Sequence, residues 1–184
     1  MSEHHQAYLS IGSNIQPEIH LPKVIQLLGN YGTVKRVSSV WQSHAVGSDG
    51  PDFLNLCVLF TTILQPYDLK EQIIRPIEAE LGRVRYVDKN APRTIDLDIV
   101  LFDEKPLNVD FWDYAFVVVP LAELLPDFPH PVRGEKLSRV SEQVQGQVWI
   151  VKRSDVTLSR GPERSEGSAK GLARREGDSS LRSE

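Results

Sequence analysis

Cysteine occurs once in the 184 residues, at Cys57, so no disulfide can form within the chain. Its place inside an apolar run reads as a core thiol in a reducing compartment. Long apolar runs are missing too: no stretch approaches the roughly 20 residues of a membrane span. The opening Met1-Ser2-Glu3-His4-His5 lacks the basic and apolar regions of a secretory signal, so the expectation is a cytoplasmic protein with no membrane partner. An excess of positive charge is also lacking. The formal net charge is −4, and residues 1–151 carry 13 basic against 19 acidic side chains, a balance that argues against nucleic acid as a partner. From Lys152 to Glu184 there is no aromatic residue and only four from Val and Leu, too little apolar surface to offset the entropy of ordering. The expected organisation is therefore one domain over residues 1–151, followed by a disordered tail over 152–184.

Periodicity and punctuation order the domain. Gln6 to Ile11 reads as a strand ended by Gly12-Ser13-Asn14, with Ser13 or Asn14 placed to cap a helix from about Pro17 to Leu28 that Gly29 and Asn30 stop. Thr33 to Gln42 is expected as a strand, His44 to Pro51 as a loop, and Phe53 to Ile63 as the next strand. Leu69, Ile73, Ile77 and Leu81 mark a helix from Pro66, kinked or broken at Pro76 and stopped by Gly82. Thr94 to Phe102 is again a strand, and Lys105-Pro106 a turn. Leu107 to Phe116 is expected to be irregular, with a short helix beginning at Pro120. His130, between two prolines, reads as a turn residue. A helix over Lys136 to Val144 and a strand over Val148 to Val151 complete the domain. The order β-α-β-β-α-β is the ferredoxin-like one, so the expected fold is an α+β sandwich: a mainly antiparallel sheet with helices on its faces.

Charge capable of chemistry is concentrated between Gly82 and Phe102. Alternation along the strand puts Asp96 and Asp98 on one face, roughly 7 Å apart by the two-residue repeat. Two ionised carboxylates that close repel, and a hard divalent cation, Mg²⁺, is the usual remedy. Arg83, Arg85, Lys89 and Arg93 lie just upstream, three of them guanidiniums able to fork onto phosphate oxygens. Either feature alone is common on solvated surfaces. Together, inside an otherwise apolar strand, they point to phosphoryl or nucleotidyl transfer.

Gly82-Arg83-Val84-Arg85 followed by Ala91-Pro92-Arg93-Thr94-Ile95-Asp96-Leu97-Asp98-Ile99 resembles the signature of the 6-hydroxymethyl-7,8-dihydropterin pyrophosphokinase family. Tyr8-Leu9-Ser10-Ile11-Gly12-Ser13-Asn14, Gly50-Pro51-Asp52-Phe53-Leu54-Asn55 and Phe116-Val117 with Pro120-Leu121-Ala122-Glu123 agree in order with the same family. The resemblance implies transfer of pyrophosphate from ATP to a pterin alcohol. It implies two Mg²⁺ ions held by Asp96 and Asp98, and a catalytic set of those two with Arg83 and Arg93. Ser43, Val46, Phe53, Asn55 and Phe116 fall at pterin positions. Glu78, Arg83, Arg85, Lys89, Arg93 and Ile99 fall at ATP positions. The expected partners are small molecules alone, bound to a monomer.

Two departures from the family pattern bear on the site. The loop before Pro92-Arg93 reads Lys89-Asn90-Ala91 where the family usually carries Arg-Trp-Gly, and the segment between Phe102 and Phe116 is short. Asn108 and Tyr114 there stand near positions where the family has nucleotide-contacting groups, and neither supplies a cation. A non-catalytic pterin- or nucleotide-binding homologue, and a glycosyl or nucleotidyl transferase using Asp-x-Asp, are the alternatives that residues alone leave open.

Overall fold

β1 (His5–Ser13) and β4 (Phe53–Thr62), the two longest strands, lie side by side at the centre of one antiparallel sheet. The computed structural model describes residues 4–47, 49–85 and 91–158. β5 (Asp96–Phe102) flanks β1, and the short β6 (Lys105–Pro106) closes that side. β3 (Val40–Ser43) flanks β4 and is followed outward by β7 (Ile150–Arg153). β2 (Thr33–Val37) pairs with the far half of β4. With β5, β1, β4 and then the β2–β3 pair as the four positions, the sheet is the ferredoxin-like α+β arrangement that the element order implies.

Alternation along the central strands divides the core into two layers. Ala7, Leu9 and Ile11 of β1 and Leu54, Leu56, Val58 and Phe60 of β4 face one layer. It is covered by α1 (Pro17–Tyr31) and by the helical stretch from α2 (Pro66–Leu69) to α3 (Arg75–Glu80). Leu21, Val24, Ile25 and Leu28 form the buried stripe of α1, each worth roughly 1.5–3 kcal/mol when fully removed from water. Tyr8, Cys57, Val100 and Leu101 face the other layer, under α4 (Ala115–Leu124) and α5 (Leu137–Gln145). Val100 and Leu101 reach the same layer because the register between β1 and β5 shifts at Tyr8/Leu9, inserting one residue in β5. Cys57 is fully buried, and burial pushes its thiol pKa up.

Several boundaries differ from the sequence expectation, each for a local reason. α1 runs through Gly29 and Asn30 to Tyr31, with Leu28 buried in its last turns. The expected Thr33–Gln42 strand is two strands, broken at Ser38 and Ser39. Ser38 Oγ accepts from the Cys57 amide and the Ser39 amide donates to Glu123 Oε2, so side chains take ladder bonds there. The interruption expected at Pro76 is present, dividing the stretch into α2 and α3. A π-helical segment, Lys70–Ile74, precedes the proline, and the Arg75 amide donates to Lys70 O, a widened turn that makes room for the ring. β5 starts at Asp96 rather than Thr94. Asp103 and Glu104, both at positive φ, form the tight turn into β6, which puts Lys105-Pro106 in a strand and not in the turn itself.

Val109–Asp113 is a 3-10 turn within the segment expected to be irregular. α4 contains Pro120 rather than starting at it. Proline removes only its own bond back to Phe116, and seven buried residues of α4 hold the helix regardless. His130 is a turn residue, as expected: Nε2 donates to Trp112 O at 2.8 Å while Nδ1 accepts the amides of Val132 and Arg133.

No helix among the described residues is long and apolar enough to cross a membrane. β7 carries the fold past the expected boundary at Val151: Lys152 and Arg153 pair with Trp41 and Val40, and Val156 and Leu158 pack on the first core layer. The rest of the expected tail, 159–184, lies outside the described residues. A chain ending at Val151 should therefore melt several degrees below one ending at Leu158, and thermal unfolding of the two truncations followed by circular dichroism checks this.

Candidate active site

The helices of the second layer leave one end of the sheet uncovered, and a cavity of about 240 Å³ opens there. Its floor is made by consecutive strands. Gly12 of β1 lies opposite Asn55 of β4 on one side and Asp96 of β5 on the other, and Ser10 lies opposite Asp98. Because all five strand residues lie on one face, an amide and two carboxylates are brought into a row across three strands. Phe53 continues the floor. Phe111, Tyr114, Phe116 and Val117 form the wall at the start of α4, and Ser43 to Val46 form the wall after β3. Gly12 is required sterically, since a Cβ there would sit 2.9 Å from Asn55 Oδ1.

Asp96 is held by two guanidiniums, Arg93 Nη1 at 2.5 Å and Arg83 Nη2 at 3.4 Å. Arg93 also lies over the Phe53 ring, 5.8 Å from its centroid, so it spans the charged and aromatic halves of the cavity. Asp98 has a different environment. Burial first, and then the neighbouring Asp96 charge, push its carboxyl pKa up to about 6. Arg83 Nε is buried and has no hydrogen-bond partner among the described residues, a donor whose desolvation is uncompensated until an oxygen reaches it.

The Gly12-Ser13-Asn14 turn does not cap α1, whose N-cap is Gln16 without a side-chain bond. Its side chains reach across the fold instead. Ser13 Oγ donates to Thr94 O at 2.5 Å. Asn14 Oδ1 accepts the Arg93 amide at 2.7 Å, and Asn14 Nδ2 donates to Pro51 O at 3.1 Å. This turn fixes the backbone at Arg93 and the start of β4 relative to each other, so the cation and the aromatic floor share one anchor. Asn55 is buried, its Nδ2 donating to Ser43 Oγ at 3.1 Å.

The structure thus brings Ser43, Val46, Phe53, Asn55, Arg93, Asp96, Asp98 and Phe116 to one cavity, with Arg83 behind Asp96. Three other residues picked from sequence, Glu78, Arg85 and Ile99, do not line it. Glu78 is buried behind β5, accepting the Leu97 amide at 3.1 Å and pairing with Arg85 at 2.6 Å, and burial raises its pKa despite the pairing. Ile99 faces the opposite core layer, so only its backbone is available to a ligand. Lys89 lies outside the described residues. Sequence reading missed Ser10, Gly12, His44, Phe111 and Tyr114 as cavity residues. The first two belong to the Tyr8–Asn14 block and follow from its pairing with β5. The others become neighbours only through tertiary packing.

A divalent cation fits the carboxylate end. Asp96 and Asp98 are hard oxygen donors on one face, and the raised Asp98 pKa is the electrostatic cost such a cation would relieve. No group of three or more His, Cys, Asp or Glu side chains suited to a metal occurs among the described residues. Two carboxylates completed by substrate phosphates and water is the ordinary Mg²⁺ arrangement.

Comparison with known proteins identifies the family. Residues 8–126 match the family model described as 7,8-dihydro-6-hydroxymethylpterin-pyrophosphokinase. The chain is 36% identical over 155 residues to the 2-amino-4-hydroxy-6-hydroxymethyldihydropteridine pyrophosphokinase of Bacillus subtilis, covering 78% of this chain and 89% of that protein. It is 34% identical over 159 residues to the protein of the same name from Synechocystis sp., covering 80% of each. Among solved structures, the wild-type Plasmodium falciparum HPPK-DHPS with pterin and p-hydroxybenzoate superposes with a TM-score of 0.61 at 12% identity, over 80% of this chain. The chain spans 44% of that larger protein, and at this identity the likeness bears on the fold alone.

The raised Asp98 pKa has a testable sign. A carboxyl that binds its proton more tightly folded than unfolded destabilises the ionised protein, so the cost is present above about pH 6 and fades as pH falls towards the ordinary carboxylate value. Without added metal, Asp98→Asn should melt above the wild type at pH 8, with the difference shrinking between pH 6 and pH 4. Thermal melts across that range provide the measurement.

Proposed function

The chain belongs to the 7,8-dihydro-6-hydroxymethylpterin-pyrophosphokinase family and transfers pyrophosphate from ATP to the hydroxymethyl group of the dihydropterin in folate synthesis; we propose that this cavity is where it does so. The observation that carries the reading is the division of one cavity into a flat aromatic and amide end, Phe53, Phe116 and Asn55, and a carboxylate and guanidinium end, Asp96, Asp98 and Arg93. A pterin is a flat heterocycle with amide-like donors and acceptors along one edge, which suits the first end. A polyphosphate suits the second.

In the reaction a bond forms between the pterin hydroxymethyl oxygen and the β-phosphorus of ATP. The bond from that phosphorus to the oxygen bridging to the α-phosphate breaks, and AMP leaves. Two Mg²⁺ ions held by Asp96 and Asp98 would supply charge neutralisation on the transferred group. The remaining work falls to the chain. Phe53 and Phe116 hold the ring, Asn55 sets its edge, and the floor at Gly12 keeps backbone close beneath it. Arg93 and Arg83 pair with Asp96. From beside Asp96 both guanidiniums would reach phosphate oxygens of ATP, where charge builds as AMP departs. Arg83 Nε offers a donor already desolvated for this purpose. Arg85, anchored on Glu78, and Lys89 add positive charge for the nucleotide. The working unit is a monomer in the cytoplasm, with Mg·ATP and the pterin as its partners.

AMP release that requires ATP, Mg²⁺ and 6-hydroxymethyl-7,8-dihydropterin together is the test, and the non-catalytic alternative predicts none. In the same assays Asn55→Ala should weaken pterin binding by about 1–3 kcal/mol, the cost of leaving buried ring groups unpaired, while ATP binding stays within twofold. Calorimetry with each ligand separates the two effects. Arg93→Ala should lower both ATP affinity and turnover more than tenfold, consistent with a charge-assisted bond of roughly 1.5–3 kcal/mol. An ATP titration within twofold of wild type would shift the phosphate contacts to other residues.

A further inference from the structure

The cavity wall after β3 is held from outside by the last strand of the fold. Ser43, at the end of β3, pairs with Phe53 at the start of β4, and His44, Ala45 and Val46 of the connection between them line the cavity. His44 closes the neck of this connection. Its Nδ1 lies 2.8 Å from Asp52 Oδ1, and the second Asp52 oxygen accepts Gln42 Nε2 at 2.9 Å. Gln42 in turn accepts Arg153 Nη1 at 2.8 Å. The opposite face of the clamp is an aromatic stack: the Trp149 ring lies on His44 with centroids 4.3 Å apart and planes 16° from parallel. The bonds from His44 and Gln42 hold the Asp52 carboxyl below its ordinary pKa, in keeping with an occupied clamp.

His44 lines the cavity and stands between Ser43, which accepts from Asn55 Nδ2, and Ala45 and Val46, which line it further out. Trp149 does not line it. It precedes β7, whose pairing with β3 fixes it against His44, and it remains 45% exposed, so filling a core does not explain its position. Among the described residues nothing else stacks on the His44 ring. We propose that Trp149 is a positioning residue for the pterin end of the cavity, acting through His44 to set the wall from Ser43 to Val46. The C-terminal strand thereby belongs to the substrate site. This rests on the pterin reading of the cavity given above.

The test is a pair of titrations on the full chain, with 6-hydroxymethylpterin followed by its own emission and Mg·ATP by calorimetry. Trp149→Ala should raise the pterin Kd three- to tenfold and leave the ATP Kd within twofold. Trp149→Phe, which keeps a stacking ring, should restore the pterin Kd to within twofold of wild type. On a His44→Ala background, Trp149→Ala should add nothing, because the path runs through the imidazole. An unchanged pterin Kd in Trp149→Ala, equal losses for both ligands, or a full additional loss on the His44→Ala background would each overturn the proposal. A wild-type chain that binds Mg·ATP but not pterin would instead overturn the pterin reading itself, and this inference with it.

Discussion

Two carboxylates on one face of β5 set the terms for everything around them. A strand cannot place Asp96 and Asp98 apart once they are two residues from each other, so their repulsion must be answered by whatever surrounds that face. The answer is uneven. Asp96 takes Arg93 and Arg83, while Asp98 is left with a carboxyl pKa near 6. Guanidiniums sit on one acid, and the other keeps the electrostatic cost of its burial and of its charged neighbour.

Holding that charge beside an aromatic pocket needs a frame that does not yield. β1 and β4 supply it as central strands with a core layer on each face, and the turn after β1 extends it through Ser13 and Asn14 to Thr94, Arg93 and Pro51. These bonds join segments about forty and eighty residues away from the turn, so the backbone at Arg93 and Thr94 and that at Pro51 are referenced to one short stretch. Glu123 does comparable work on the other side: it receives the Ser39 amide and Trp41 Nε1, which locks α4, and with it Phe116, to the break between β2 and β3. Site geometry here is a consequence of a few polar ties that cross between elements, each satisfied at both ends.

The elements themselves were largely legible in the chain. Alternation over Phe53–Thr62 identified both the strand and the anomalous face carrying Asn55, and the same rule placed Asp96 and Asp98 together before any fold was known. Legibility failed where a local signal had a stronger tertiary competitor. Gly29 and Asn30 are helix-stopping residues overridden by the buried stripe of α1. Pro120 sits inside α4 because that helix is buried along nearly its whole length. The domain end at Val151 was read from composition, which does not register that Val156 and Leu158 find a core to pack on.

What the sequence by itself determined is the chemistry and its carriers: an acid pair on one strand face, guanidiniums just upstream, an amide and a ring on a neighbouring strand, and the order of elements that fixes a ferredoxin-like sheet. Those follow from local periodicity and residue type, which act over a few positions. The tertiary structure alone decided which of the candidates meet. It turned Ile99 to the far layer, put Glu78 behind the strand as a buried tie, brought His44 and Tyr114 to the cavity, and set Trp149 against His44. Contacts of that kind depend on strand register and helix packing between residues up to a hundred positions apart, and no short-range pattern in a single chain encodes them.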